Sequence, residues 1–144
     1  MMDGQNSILD QNLFFLSSAL SRKLSSQADA AFAKFGLSTS HVLILLLTNR
    51  NPGIQPSSLA ERLHLNPSTI TRLVQKLETR ELLKRKSEGR ATSIVCTNEG
   101  AGLVKDIEQQ WIRLSAETSE ELGERYVEVL SEMIFNALDN IPRK

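Results

Sequence analysis

A stretch in the middle of the chain carries side chains of the kinds that read nucleic acid. Over residues 66–82, Ile70, Val74 and Leu77 recur at helical spacing, so a rotation of about 100° per residue places them on one inward face. The opposite face then holds no acidic residue, because Glu78 falls to the side. Hydroxyl, amide and cationic groups occupy its outward and flanking positions, namely Ser68, Thr69, Thr71, Arg72, Gln75, Lys76 and Thr79. These groups hydrogen-bond base edges and phosphates, whereas an ordinary solvated face more often alternates Glu with Lys.

The elements around this face predict a helix-turn-helix. A short helix over residues 56–63 precedes it. Asn66 and Pro67 then signal a helix start, because an asparagine can cap a helix and a proline lacks an N–H that the first turn leaves unpaired. Residues near the start of the second helix reach the bases in such a motif, so we expect a recognition helix over 67–82. Arg72 can bind a guanine or a phosphate there, and the sequence leaves both roles open.

A change of hydrophobic period follows the predicted recognition helix. Residues 83–87 and 92–97 are short and extended in character, and the glycine between them is typical of a β-hairpin turn. We expect this hairpin to form a wing over residues 84–96 with Arg90 at its tip, where an arginine can enter a minor groove. For the lysines that lead into the turn, DNA contact and protection of the sheet edge are equally consistent with the sequence.

Amphipathic helices flank this central module. Residues 8–35 carry apolar side chains three and four positions apart, as do two helices predicted between Thr97 and residue 141. The helix after Ser38 is apolar nearly all round, so it is expected in the core. The flanking helices carry more apolar surface than one chain readily covers, which predicts a homodimer. The expected fold is mainly α with a small β-hairpin wing, a winged helix-turn-helix with N- and C-terminal dimerisation helices.

The domain organisation follows from the same pattern. We expect a single domain over residues 1–144. Within it, residues 37–97 form the winged helix-turn-helix DNA-binding region, and residues 1–36 and 98–144 form the helical dimerisation region.

The distribution of charge agrees with that division. The formal net charge of the chain is zero. Residues 50–92 carry nine basic and four acidic side chains, whereas residues 93–144 carry five basic and ten acidic ones. A compact basic module of this kind is typical of a surface that faces a polyanion, so the predicted partner is double-stranded DNA.

Other chemistry has little support in the sequence. The single cysteine, Cys96, is expected to be a buried structural thiol, and with His41 and His64 it has neither the number nor the spacing of zinc ligands. No nucleophile elbow, phosphate-binding loop or dinucleotide-binding loop is present, so we expect neither an enzyme nor a cofactor. Trp111 and Tyr126 can line an effector pocket, although such aromatics more often lie in a core or a dimer interface.

Membrane insertion and secretion are not expected. The longest uninterrupted apolar run, residues 42–47, has six residues, well below the roughly 20 that a membrane span requires. The first ten residues lack the basic and apolar segments of a signal peptide. A single cysteine also fits a reducing compartment. The expectation is a cytoplasmic protein without a membrane partner.

Several segments match a known sequence pattern. They are Leu59-Ala60-Glu61-Arg62-Leu63, Ser68-Thr69-Ile70-Thr71-Arg72-Leu73-Val74-Gln75-Lys76-Leu77-Glu78, Leu82-Leu83-Lys84-Arg85, Glu88-Gly89-Arg90-Ala91 and Thr97-Asn98-Glu99-Gly100. Through them the chain resembles the MarR (multiple antibiotic resistance regulator) family. The resemblance implies a dimeric winged-helix repressor that binds a pseudo-palindromic operator and is released by a small phenolic or other aromatic effector. It also implies that Arg72 is the arginine of the recognition helix and Arg90 the arginine of the wing.

Three features depart from the family pattern. The wing is shorter than usual, and Glu88 stands where the family favours aspartate, beside the wing arginine. Glu81 replaces the usual glycine at the end of the recognition helix, a position that often needs a left-handed backbone. The short wing and the zero net charge also suit an alternative hypothesis, a winged-helix protein-interaction module that does not bind DNA.

Overall fold

A computed structural model describes residues 7–142, except for the side chains of Ser7 and Glu88. The chain divides into two compact units, Met1–Ile107 and Glu108–Lys144. Helices and one two-stranded sheet make up the described residues, which confirms the mainly α fold with a β-hairpin. The division into DNA-binding and dimerisation regions stays a prediction, and the contact between Glu88 and the wing arginine lies outside the described side chains.

The elements follow one another with short connections. Their order is α1 (Ser7–Asp10), α2 (Leu13–Phe32), a single 3-10 turn (Ala33–Phe35), α3 (Thr39–Arg50), α4 (Pro56–Leu63), α5 (Pro67–Thr79), β1 (Leu83–Glu88), β2 (Ala91–Cys96), α6 (Asn98–Leu122) and α7 (Glu124–Asn140).

The N-terminal helix differs from the single helix predicted over residues 8–35. The helix is interrupted after α1, and Asn12 caps a new one, since its Oδ1 accepts a hydrogen bond of 2.8 Å from the Phe15 N–H. The apolar period continues across this break, which is why periodicity alone does not reveal it. The other end agrees with the prediction, because Gly36 takes a left-handed conformation with φ of 67° and ends the 3-10 turn.

Helix α3 lies in the core of the first unit, as predicted. Ser38 caps it, and the side chain of His41 completes a capping box with the Ser38 backbone. Val42, Ile44 and Leu45 are fully buried. Large apolar side chains from α2, α4, α5 and the hairpin are buried with them: Phe32, Leu59, Ile70, Val74, Leu77, Leu83 and Ile94.

Helix α5 has the predicted faces but ends three residues early. Ile70, Val74 and Leu77 are buried, which confirms the inward face. The helix stops at Thr79 rather than at residue 82, because Glu81 turns into the left-handed region with φ of 60°. The Leu82 N–H then bonds the Leu77 carbonyl, a pattern that closes a helix with a left-handed residue. The glycine position of the family pattern is therefore left-handed here too, although a glutamate occupies it.

The hairpin forms as predicted and is anchored at its base. Strands β1 and β2 pair antiparallel from Leu83 opposite Cys96 to Glu88 opposite Ala91. Ile94, fully buried, also exchanges backbone hydrogen bonds of 2.9 Å with Gly53 and Ile54 in the loop after α3. This third backbone segment ties the base of the wing to the core.

A tight contact joins the end of α5 to the start of α6. The Thr97 hydroxyl donates to the Glu81 carbonyl at 2.6 Å and accepts from the Gly100 N–H at 3.0 Å, so Thr97 caps α6. A Cβ at Gly100 would stand 2.1 Å from the Leu82 carbonyl oxygen. Glycine at this position therefore allows the first turn of α6 to approach the segment that leaves α5.

Many large apolar side chains of the terminal helices are solvent-exposed in the single chain. Leu13 and Phe14 in α2 are 71% and 81% exposed, and α7 buries none of its residues. Within residues 7–142 no single helix has the length and apolar composition to cross a membrane, although the bent pair Leu13–Phe35 and Thr39–Arg50 meets that test together.

Replacing Glu81 by glycine should stabilise the protein. A side chain in the left-handed region costs about 1–2 kcal/mol, and glycine offsets about 0.5–1 kcal/mol of that through its greater freedom in the unfolded chain. We therefore expect Glu81→Gly to raise the free energy of unfolding by about 0.5–1 kcal/mol in urea titrations. Glu81→Ala removes the same exposed carboxylate but keeps a Cβ, and it should bring no gain. Equal stabilisation by both variants would contradict the backbone explanation.

Candidate nucleic-acid interface

The outer face of α5 presents the predicted residues to solvent. Five of the six predicted α5 side chains are exposed, namely Ser68, Thr71, Arg72, Gln75 and Lys76, and Thr69 is half-buried at the flank. The Thr71 hydroxyl donates to the Pro67 carbonyl at 3.1 Å, so its oxygen remains free to accept from a ligand. No described acidic side chain falls between Ser68 and Lys76. The structure thus groups the α5 residues on one face, while their contact with DNA stays a prediction.

The turn before α5 has the geometry of a helix-turn-helix. His64 is left-handed with φ of 54° and closes α4, and the Leu65 N–H bonds the Ala60 carbonyl at 3.0 Å. Asn66 occupies the cap position of α5 as predicted, but its side chain makes no capping hydrogen bond. No acidic residue lies in the first turn of α5. The N–H groups of this turn can therefore donate hydrogen bonds to an anion without competition from a capping side chain.

The wing is a compact hairpin with a two-residue tip. Gly89 and Arg90 connect the strands, and Gly89 is left-handed with φ of 63°. Arg90 is exposed at this tip. Lys84 and Lys86 are exposed along β1. The position of Arg90 agrees with the prediction that it lies at the tip of the wing. Its contact with a DNA groove stays a prediction.

Two arginines of the basic module have partners inside the protein. Arg85 Nε lies 2.9 Å from Glu78 Oε1, so this side chain of β1 is held against α5. Arg80 Nη1 donates to the carbonyl oxygens of Phe35 and Gly36 at 3.1 and 3.0 Å. By residue type alone, both count as charges available to a polyanion. No sequence signal distinguishes them, because their partners are set by the tertiary fold and lie up to 45 positions away.

An open cleft lies where α5, β1 and α6 meet. It is lined by Glu78, Glu81, Leu83, Lys84, Thr97, Asn98 and Glu99. Three carboxylates and no aromatic ring line it, so its chemistry does not suit the aromatic effector that the family resemblance implies.

Cys96 has the environment of a structural thiol. Its Sγ is half-buried and lies 3.8 Å from the Leu45 carbonyl oxygen. Burial raises the pKa of the Cys96 thiol to about 11, so the reactive thiolate is scarce at neutral pH. Among residues 7–142, no three His, Cys, Asp or Glu side chains are grouped so as to hold a metal ion.

The helix pair α4 and α5, the buried central helix and the anchored hairpin together define a winged helix-turn-helix protein. A MarR family sequence profile matches residues 35–91. The chain is 31% identical over 126 residues to the HTH-type transcriptional regulator MhqR of Bacillus subtilis (strain 168), covering 85% of this chain and 86% of that protein. The chain belongs to the MarR family of transcriptional regulators. The proteins it matches in sequence are regulators rather than enzymes.

Solved structures share the fold. CouR from Rhodococcus jostii RHA1 bound to p-coumaroyl-CoA superimposes with a TM-score of 0.81 at 23% identity, over 94% of this chain and 98% of that one. A putative MarR family transcriptional regulator from Listeria monocytogenes, complexed with a 26mer DNA, gives a TM-score of 0.79 at 19% identity, over 91% and 89% of the two chains. These matches confirm the predicted winged-helix fold.

His41 is a buried titratable group beside the predicted interface. Its ring Nδ1 lies 2.6 Å from the Ser38 hydroxyl oxygen, and only 6% of the residue is exposed. Burial lowers the pKa of His41, and the positive charges of Lys76 and Arg80 act in the same direction. The folded protein therefore disfavours a proton that the unfolded chain accepts below about pH 6.5.

The free energy of unfolding should fall as the pH drops from 7 to 5, because the lowered pKa makes the folded protein take up a proton at His41 less readily than the unfolded chain does. His41→Gln removes this titration and retains a side chain that can close the capping box, so its stability should fall less over the same range. His64→Asn is the matched control, because asparagine tolerates the left-handed backbone and His64 is the other histidine. Denaturant titrations at each pH provide the measurement. If His64→Asn reduced the pH dependence of the free energy of unfolding as much as His41→Gln, the assignment of this dependence to His41 would be contradicted.

Proposed function

We propose that this chain is a homodimeric, sequence-specific DNA-binding transcription regulator that acts as a repressor. The observation that carries the proposal is the exposed face of α5, which has no acidic residue and follows a helix-turn-helix. The Listeria relative complexed with DNA supports it through the shared fold. In this proposal the protein acts in the cytoplasm, on a pseudo-palindromic operator in double-stranded DNA.

The proposed binding mode assigns a role to each exposed group. Helix α5 enters the major groove, and its hydroxyl, amide and cationic groups contact base edges and phosphates. The contacting residues are Ser68, Thr69, Thr71, Arg72, Gln75 and Lys76. Arg72 lies one turn and a half into the helix, within the N-terminal half that meets the bases in this motif. Arg90 approaches the minor groove from the wing tip.

The proposed dimer is held together by the terminal regions, residues 1–36 and 98–144, around the DNA-binding region 37–97. Its support is the apolar surface that one chain leaves exposed, especially along α7. Apolar patches of this extent are rare on monomers and usually mark an interface. A two-fold dimer would place two copies of α5 about one helical turn of DNA apart.

The proposed effector is a small phenolic or other aromatic molecule that releases the DNA. CouR, whose solved structure contains p-coumaroyl-CoA, supports a coenzyme A thioester of a phenolic acid as the first compound to test. The effector would bind the DNA-free arrangement of the dimer more tightly than the DNA-bound arrangement. It would therefore shift the population toward the DNA-free arrangement and lower the affinity for the operator.

Replacing Arg72 by alanine should weaken operator binding. Selection from a randomised duplex library should enrich an inverted repeat with the wild-type protein. On that repeat, Arg72→Ala should lose about 1–3 kcal/mol if it reads a base, or lower the salt slope by about one if it holds a phosphate. Arg113→Ala, an exposed arginine outside the basic module, should retain affinity and slope. A folded wild-type dimer that enriches no sequence would instead favour the protein-interaction module.

A charge in the exposed apolar stripe of α7, which includes Met133, Ile134 and Leu138, should dissociate the dimer into monomers. Met133 is 64% exposed in the single chain, and a glutamate there would be buried without a partner in the proposed interface. We expect light scattering at micromolar concentration to give a dimer mass for the wild type and a monomer mass for Met133→Glu. Glu132→Gln changes the charge of the same helix by one unit on the side opposite Leu130, Ile134 and Leu138, and it should leave the dimer intact. A wild-type monomer mass would overturn the dimer.

A further inference from the structure

We call helix α2 the N-terminal arm. Polar contacts attach its C-terminal end to two other helices, α3 and α5. We use the name arm joint for residues 33–39, which connect α2 to α3. Asp29 attaches α2 to the first residue of α3, because its Oδ1 accepts hydrogen bonds from the Thr39 N–H at 2.9 Å and the Thr39 hydroxyl at 2.6 Å. These bonds lower the pKa of the Asp29 carboxyl. Arg80, at the C-terminal cap of α5, attaches this joint to α5.

The Arg80 contacts are specific to the end of a helix. Its Nη1 donates to the carbonyls of Phe35 and Gly36, which have no further turn of helix to bond. Such carbonyls carry partial negative charge, so a guanidinium is a strong partner for them. A Cβ at Gly36 would stand 3.3 Å from Nη1, so the glycine that ends the helix also leaves room for this side chain.

Together the contacts close a triangle of helices. Asp29 ties α2 to α3, and Arg80 ties the end of α2 to α5. Helices α3 and α5 pack directly on each other. With all three sides fixed, the direction of α2 determines the direction of α5.

We propose that Arg80 is a positioning residue, which sets the direction of the recognition helix relative to the N-terminal arm, and that it does not contact DNA phosphate. The proposal rests on the proposed function, in which the partner copy holds the arm. A fixed angle between arm and recognition helix then fixes the spacing at which two copies of α5 meet their half-sites.

The position of Arg80 favours this role over a phosphate contact. It lies thirteen residues after Pro67, about 20 Å along the axis from the end of α5 that meets the bases in this motif. The hydrogen atoms of Nη1 are already directed at two carbonyls, so a phosphate contact through them would release the joint. Lys76, one turn earlier, is exposed on the outer face and makes no ion pair among the described residues, so it serves as the contrasting cation.

The test uses the full-length dimer and the operator obtained by selection. Dissociation constants are measured on that operator and on versions with one base pair added or removed between the half-sites, each over a series of salt concentrations. For Arg80→Gln we expect the preference for the original spacing to fall about two- to thirty-fold while the salt slope is unchanged. Asp29→Ala should reproduce the loss of spacing preference, although it removes a negative charge. Lys76→Gln should instead lower the slope by about one and keep the spacing preference.

Hydrogen exchange without DNA separates loosening of the joint from global unfolding. We expect the amides of residues 33–39 to exchange faster in Arg80→Gln and Asp29→Ala, while the buried amides of α3 stay protected. A spacing preference retained in both variants, or a salt slope lowered by about one in Arg80→Gln, would overturn the positioning role and leave the proposed function standing. Absence of DNA binding by the wild type would overturn the proposed function itself.

Discussion

Burial of Ile70, Val74 and Leu77 on one side of α5 is the interaction on which the candidate interface depends. Each of these side chains contributes about 1.5–3 kcal/mol when removed from water, so rotating the helix to bury its outer face would forfeit several kcal/mol. Rotation would also bury Arg72 without a partner, at a further cost. The exposed direction of Arg72, Gln75 and Lys76 is thus fixed by what the other side of the helix buries.

Periodicity predicted the faces of helices better than their ends. The inward residues of α5 and the buried centre of α3 are set by spacing, and the structure agrees with both. Ends are set by single residues whose conformation depends on their surroundings. Asn12 begins a helix inside a continuous apolar pattern, and Glu81 ends α5 in a conformation that glycine adopts more readily. The family resemblance marked position 81 as one that often needs a left-handed backbone, which spacing alone did not, although the helix was still predicted to run to residue 82.

Polar contacts between distant segments could not be predicted from the sequence. Arg80, Arg85, Arg72 and Arg90 are all arginines of the same basic segment, and nothing in the sequence separates them. In the structure, Arg80 and Arg85 have partners inside the protein. The distinction depends on which carbonyl or carboxylate the fold brings within reach of the guanidinium. The same holds for Asp29, whose partner Thr39 lies ten positions away at the end of the arm joint. The surplus of apolar surface on the terminal helices was predictable, because it depends on composition and spacing rather than on particular contacts.

These internal contacts separate two electrostatic quantities that a residue count treats as one. The net charge of residues 50–92 is unchanged, because Arg80 binds neutral carbonyls and Arg85 pairs with a glutamate already counted. The long-range attraction of DNA to the module depends on that net charge. The salt dependence of the bound complex depends instead on how many phosphates are neutralised at close range. Arg80 Nη1 and Arg85 Nε are engaged within the protein, so these two side chains count fully toward the first quantity but are less available for the second, and a count of basic residues is an upper bound on the phosphate contacts this surface can make.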